Sequence, residues 1–157
     1  MSLLKNLSRL DYLLLVLGLL SNGGKEIVSS RTKLMKIMYL LQKENNMLVE
    51  ELTGSKEPYV FDWYLFGPFS VDVLNDLDKL SQEGLVDIVL EEKETYIQYN
   101  YMLTRAGRER FQKILKEVDK RIIYSLENYL SKYKQMSASQ IKRLVYRKYL
   151  SEIELSS

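Results

Sequence analysis

One short run near the start of the chain limits its folding options more than any other segment. Residues 10–20, "LDYLLLVLGLL", are almost wholly apolar and carry a single charge, Asp11. Such a run crosses a membrane, leads a chain through one, or lies at the centre of a core. It follows Lys5 and Arg9, as a secretory leader would. Asp11 inside it, the lack of a small-x-small cleavage site and the polar continuation "SNGGKEIVSSRTK" argue against export. The run is also too short to span a bilayer. Leu10, Leu13, Leu14, Leu17 and Leu20 share one helical face. It therefore reads as a buried core helix from about Leu3 to Ser21, stopped by Asn22-Gly23-Gly24. A cytoplasmic protein without membrane contact is the expectation.

The chain has 157 residues, 46% of them hydrophobic and 28% charged, enough for one domain with a core of its own. It has neither cysteine nor histidine. That excludes disulfides, thiolate or imidazole metal sites, cysteine nucleophiles and histidine bases. No pair of carboxylates stands out as catalytic, so no enzyme, catalytic residue, metal or cofactor is expected.

Beyond the first helix, Ser29 or Ser30 can cap a second, "RTKLMKIMYLLQKENN", with Leu34, Ile37, Met38 and Leu41 inward. Residues 47–58 read as polar and irregular. "YVFDWYLF" alternates like a short strand, and Gly67-Pro68 ends it. Ser70 caps a third helix, Val71 to Glu83, with Val73, Leu74, Leu77 and Leu80 inward and Gly84 as its stop. "LVDIVL" and "TYIQYNYML" form a hairpin around Glu91–Glu94. Thr104 caps a long helix striped by Phe111, Leu115, Val118, Ile122, Leu126, Tyr129 and Tyr133. Ser137 and Gln140 make a capping box for a last helix, which turns Ile141, Leu144, Val145 and Tyr149 inward.

Three helices followed by a hairpin give the layout of a winged helix-turn-helix. The expected fold is α+β, mostly helical: a winged-helix domain over residues 1–107 and a two-helix C-terminal extension over 108–157, forming one structural unit. The stripe on the fourth helix is longer than a small winged helix needs, which points to a two-fold dimer seam and a homodimer.

"FGPFSVDVLNDLDKLSQEGLV" followed by "YMLTRAG" resembles the pattern of Panacea-type antitoxin domains. Lys33, Leu34, Lys36, Ile37, Met38 and Tyr39 resemble that family's Lys-Leu-x-Lys helix. Gly84-Leu85, Leu103-Thr104 and Gly107 are shared with PadR-like regulators and many other winged helices. The likeness covers roughly residues 10–110. It implies a non-enzymatic regulatory fold, in a group where some members bind toxin proteins and relatives bind DNA.

Charge is unevenly spread. Residues 1–45 hold seven Lys/Arg against three Asp/Glu, residues 46–100 three against twelve, and residues 101–157 thirteen against six. The third helix and the wing fall in the acidic segment. Asp72 and Asp76 at a recognition-helix start would meet phosphates, each contact costing on the order of 1 kcal/mol. If double-stranded DNA is the partner, the contacts fall to Arg31, Lys33 and Lys36, to Arg105 and Arg108, and to Lys142, Arg143, Arg147 and Lys148. A DNA-associated transcriptional regulator of this kind is the leading expectation. The alternative is an antitoxin- or adaptor-type module that grips a basic protein through Ser70, Asp72, Asn75, Asp76, Lys79, Glu91 and Glu92. The tyrosines of the wing and the corner are expected mainly in packing.

Overall fold

A computed structural model describes residues 6–64 and 67–156, with side chains to residue 149. Leu3–Lys5 of the expected first helix and Leu65–Phe66 of the expected strand lie outside the described residues. The fold is α+β and mostly helical, with helices α1 (Arg9–Leu20), α2 (Arg31–Glu44), α3 (Asn46–Thr53), α4 (Val71–Gln82), α5 (Arg105–Glu117), α6 (Lys120–Lys134) and α7 (Ala138–Ser156). Two antiparallel hairpins accompany them, β1 (Asp62–Tyr64) with β2 (Gly67–Phe69) and β3 (Val86–Glu92) with β4 (Ile97–Leu103). Among the described residues no helix is long and apolar enough to cross a membrane.

α1 starts at Ser8, whose hydroxyl accepts from the Asp11 amide, and stops where Asn22, Gly23 and Gly24 turn to positive φ. Every residue from Tyr12 to Leu20 is buried. A helix apolar on all sides needs cover on all sides. α4, α5, α6 and α3 supply it, and the apolar side chains so enclosed each contribute roughly 1.5–3 kcal/mol of transfer energy. α2, buried from Leu34 to Leu41, is the second central helix, covered by α7, β2, α3, α6 and β4.

α4 runs directly into the expected β3–β4 hairpin, whose register runs from Val86↔Leu103 to Glu92↔Ile97, so that Glu91 and Glu92 belong to the strand and not to the turn. Val28, between α1 and α2, bridges Tyr101 as a one-residue third strand. Thr104 links two of the motif glycines. Its hydroxyl accepts from the Gly107 amide and donates to the Gly84 carbonyl, while its own amide donates to the Leu85 carbonyl.

Three local expectations fail. Residues 46–53, read mostly as irregular, form α3, because Leu48, Val49 and Leu52 make a buried stripe and Gly54 supplies a left-handed stop. Gly67-Pro68 does not end the sheet. It begins β2, which pairs back with Trp63 opposite Pro68, and proline is tolerated there because a two-stranded edge does not need its missing N–H. Gly67 at φ 106 makes the turn that other residues resist. The long helix expected over 105–133 is broken, since Val118 is extended and Asp119 caps α6 through the Arg121 amide. The break turns the apolar stripe onto the chain's own core. Phe111 packs on Gly18, while Leu126, Leu130 and Tyr133 are buried where α6 meets α1, α2 and α3. Leu115, Val118, Ile122 and Tyr129 of the same stripe are only partly buried.

A Cβ on Gly107 would collide with the Leu85 carbonyl. Gly107→Ala should therefore destabilise by about 1–3 kcal/mol in urea unfolding despite alanine's better helix preference. Unchanged stability would contradict this close approach.

Candidate functional site at the Gly-Pro corner

The corner "FDWYLFGPFSVDV" has an inner and an outer side. Inward, Phe61 and Trp63 meet the Tyr39 ring edge-on at 5.5 and 5.6 Å, and Tyr149 of α7 closes on the same ring at 5.5 Å. Outward, Tyr64 packs edge-on against Phe69 at 5.7 Å. This outer pair is one wall of a groove of about 640 Å³, in the usual range for ligand sites. The opposite wall is the wing from Thr95 to Gln98. The floor is the first turn of α2 with Met35, and Ala138 of α7 closes one side. Tyr64, Tyr96 and Ile97 are 57%, 58% and 51% exposed, so this groove concentrates large apolar side chains that the core leaves uncovered.

Its edge carries the chain's clearest backbone strain. Ser30 caps α2 at φ 73 and ψ 106, a region that costs a non-glycine residue roughly 1–3 kcal/mol. The strain is held from the wing. Buried Asn100 accepts from the Ser30 amide at 2.9 Å and from the Gln98 side chain at 2.8 Å. The next residue, Arg31, is thereby fixed against the Tyr99 ring at 4.0 Å.

The basic residues expected to contact phosphate are not all free at the surface. Arg31 lines the groove and is half-buried. Lys33 donates to the Lys134 carbonyl, and burial lowers its pKa. Lys36 is 2% exposed, so it is not a phosphate contact. Burial, then Lys142, pushes its pKa down to about 8. Arg105 is exposed and pairs with Glu109, while Arg108 donates to the Leu103 carbonyl. Lys142, Arg143 and Arg147 are exposed on α7, but Lys148 is tied to Glu44 at 2.6 Å. Glu44 also accepts from the Tyr129 and Tyr133 hydroxyls at 2.6 Å each. Burial raises its pKa, yet these three bonds outweigh that and hold it below the usual carboxylate range. α5 packs on α1 and α7 on α2.

The acidic surface expected on α4 is also corrected. Asp76 is 5% exposed and Ser70 fully buried. Arg9 grips Asp76 through two bonds of 3.0 and 3.2 Å, and the Tyr59 hydroxyl donates to it at 2.7 Å. The same guanidinium lies 3.6 Å from Asp72. Ser70 is spent capping the Val73 amide. Asp76 is therefore paired from inside, and Asp76 and Ser70 are closed to a partner, while Asp72 stays 39% exposed and the Arg9–Asp72–Asp76 trio keeps one net negative charge. Asn75 and Lys79 stay exposed on α4. On the wing, Glu91 bonds Lys93 and Gln98, and Glu92 is exposed. Nothing in the residue pattern singled out Arg9, Asn100 or the groove. Asp76 did give a signal, since it stands three residues after Val73 and four before Leu80, on the apolar face.

No protein-family profile matches the chain, and no solved structure matches it. It is 30% identical over 87 residues to the uncharacterized protein YwgA of Bacillus subtilis (strain 168). The match covers 55% of this chain and 46% of that protein, so the chain spans about half the length of the curated relative it matches.

If Asp76 is an internal anchor, Asp76→Ala removes the buried acceptor shared by Arg9 and the Tyr59 hydroxyl and should cost about 2–4 kcal/mol in urea unfolding, whereas exposed Asp78→Ala should stay within about 0.5 kcal/mol. Equal effects would contradict the assignment. Lys36 makes a pH prediction. Its folded pKa lies below its unfolded value, so below pH 8 its burial cost is fully present. That cost is relieved as pH rises from about 8 toward the ordinary lysine value. The stability of wild type relative to Lys36→Met should therefore improve across that window. A flat difference would show that the amine is not desolvated.

Proposed function

We propose that this chain is a non-enzymatic regulatory module of winged-helix type, acting in the cytoplasm, which captures a protein partner in the groove at the Gly-Pro corner. The observation that carries the reading is the groove itself: an open cavity with Tyr64, Tyr96 and Ile97 exposed on its walls, built at a strained residue. Strain is retained where function needs it, and apolar, aromatic walls suit a polypeptide better than a phosphate backbone. The passage of α4 straight into a hairpin bridged by Val28 supports the winged-helix part. The likeness to antitoxin domains agrees with a protein partner.

DNA is the second reading. It is favoured by the Arg9 pairing, which draws Asp76 inward and reduces the negative charge at the front of α4, and by exposed Arg105, Lys142, Arg143 and Arg147. A homodimer belongs with it, because two-fold pairing matches palindromic half-sites.

Photocrosslinking in the native host separates the two. With a benzophenone side chain at position 96, 75 or 143 in turn, the groove reading expects a protein adduct at 96. Adducts to DNA, or protein adducts only at 75 or 143, would contradict it. Duplex DNA binding that falls steeply with salt and is lost on Arg143→Ala with Arg147→Ala would move the assignment to the regulator.

A further inference from the structure

We propose that the groove's occupant is an extended, acidic segment of the partner protein, with an apolar or aromatic side chain seated between Tyr64, Phe69 and Tyr96 and a carboxylate on Arg31. This rests on the reading that a protein docks in the groove, and it adds the sign and chemistry of what docks.

The sign comes from what lines the cavity. Among the described residues Arg31 does, and no aspartate or glutamate does. None of the ion pairs among the described residues involves Arg31. One face of its guanidinium is stacked on Tyr99. The fork is thus held rigid without a carboxylate, and a fixed guanidinium loses little freedom on gripping one. More positive charge backs the same wall. Lys36 lies directly behind Gly67, where a Cβ would touch its side chain at 3.2 Å. Lys142 stands one turn after Ala138 and is near enough to Lys36 to disfavour its charged form. Arg143 follows, exposed. An acidic ligand relieves this crowding, and a basic one adds to it.

The shape comes from the walls. The groove runs between two hairpin ends, β1–β2 and the wing, above the start of a helix. A slot between hairpins admits an extended backbone, and the T-shaped Tyr64–Phe69 pair with Tyr96 opposite gives it a pocket for one large side chain.

The test is a random-peptide display library panned against the intact chain, with one enriched peptide then followed by fluorescence anisotropy. Enriched sequences should combine an aromatic or aliphatic residue with at least two acids. Binding should weaken about tenfold for Tyr96→Ala, for Arg31→Gln and for Lys142→Glu, and stay unchanged for Arg105→Glu on α5. Tyr96 and Lys142 are exposed, so their variants should keep the wild-type circular dichroism spectrum even if Arg31→Gln does not fold. Enrichment of basic peptides whose binding is lost on Tyr96→Ala would overturn the acidic occupant while sustaining the groove. Enrichment of peptides indifferent to Tyr96, Arg31 and Lys142 would overturn the occupant at this site. Failure to enrich any peptide, together with tight binding of a single-stranded oligothymidylate that needs Tyr96, would overturn both readings.

Discussion

The fold is organised by a helix with no polar side. α1 can be dehydrated only if other elements surround it, and α3, α4, α5 and α6 do so. Its two charges sit together in the first turn, at the rim of that sheath. Arg9 reaches out to Asp76 and Asp72 on α4, and Asp11 is held by Arg110 of α5 through bonds of 3.1 and 2.7 Å. Bidentate pairs at a partly dehydrated rim fix orientation as well as adding energy. They determine how α4 and α5 lean on α1, and α4 in turn carries the wing that forms one wall of the groove.

This arrangement changes what the charge distribution means. Counted along the chain, the middle third is strongly acidic and the flanks basic. In space, Arg9 and Asp76 are partners 67 residues apart, and Arg110 and Asp11 are partners 99 residues apart. Glu44 and Lys148 repeat the pattern across 104. Bases from the flanks are thus spent on acids elsewhere. Among the surfaces left is a groove whose described lining holds an arginine and no acid, beside α7's exposed Lys142 and Arg143.

Features set by a few neighbouring residues were legible in the sequence. The caps at Ser30, Ser70 and Thr104, and the Ser137–Gln140 box, form as their residue types require. The wing hairpin forms from the two strand-like runs. What stayed hidden depends on tertiary context. Pro68 reads as a stop until a lone partner strand makes its missing donor harmless. Val118 reads as one more member of a stripe until Asp119 offers a new cap. Lys36 reads as a surface base until α7 and the Gly67 turn enclose it. The groove takes its walls from segments between residue 30 and residue 138, so no local window contains it. Ser30's strain is likewise imposed from a distance by Asn100.

A double-mutant cycle on Arg9 and Asp76 tests most directly whether these charges are internal scaffolding. Stabilities of Arg9→Ala, Asp76→Ala and the double variant, from urea unfolding, give the coupling between the two side chains. Scaffolding predicts a coupling of about 1–3 kcal/mol that persists in high salt, because one partner is buried. Additive effects, or a coupling that salt abolishes, would mean that Asp76 is held in solvent. The acidic face of α4 would then be restored as the surface that meets a partner.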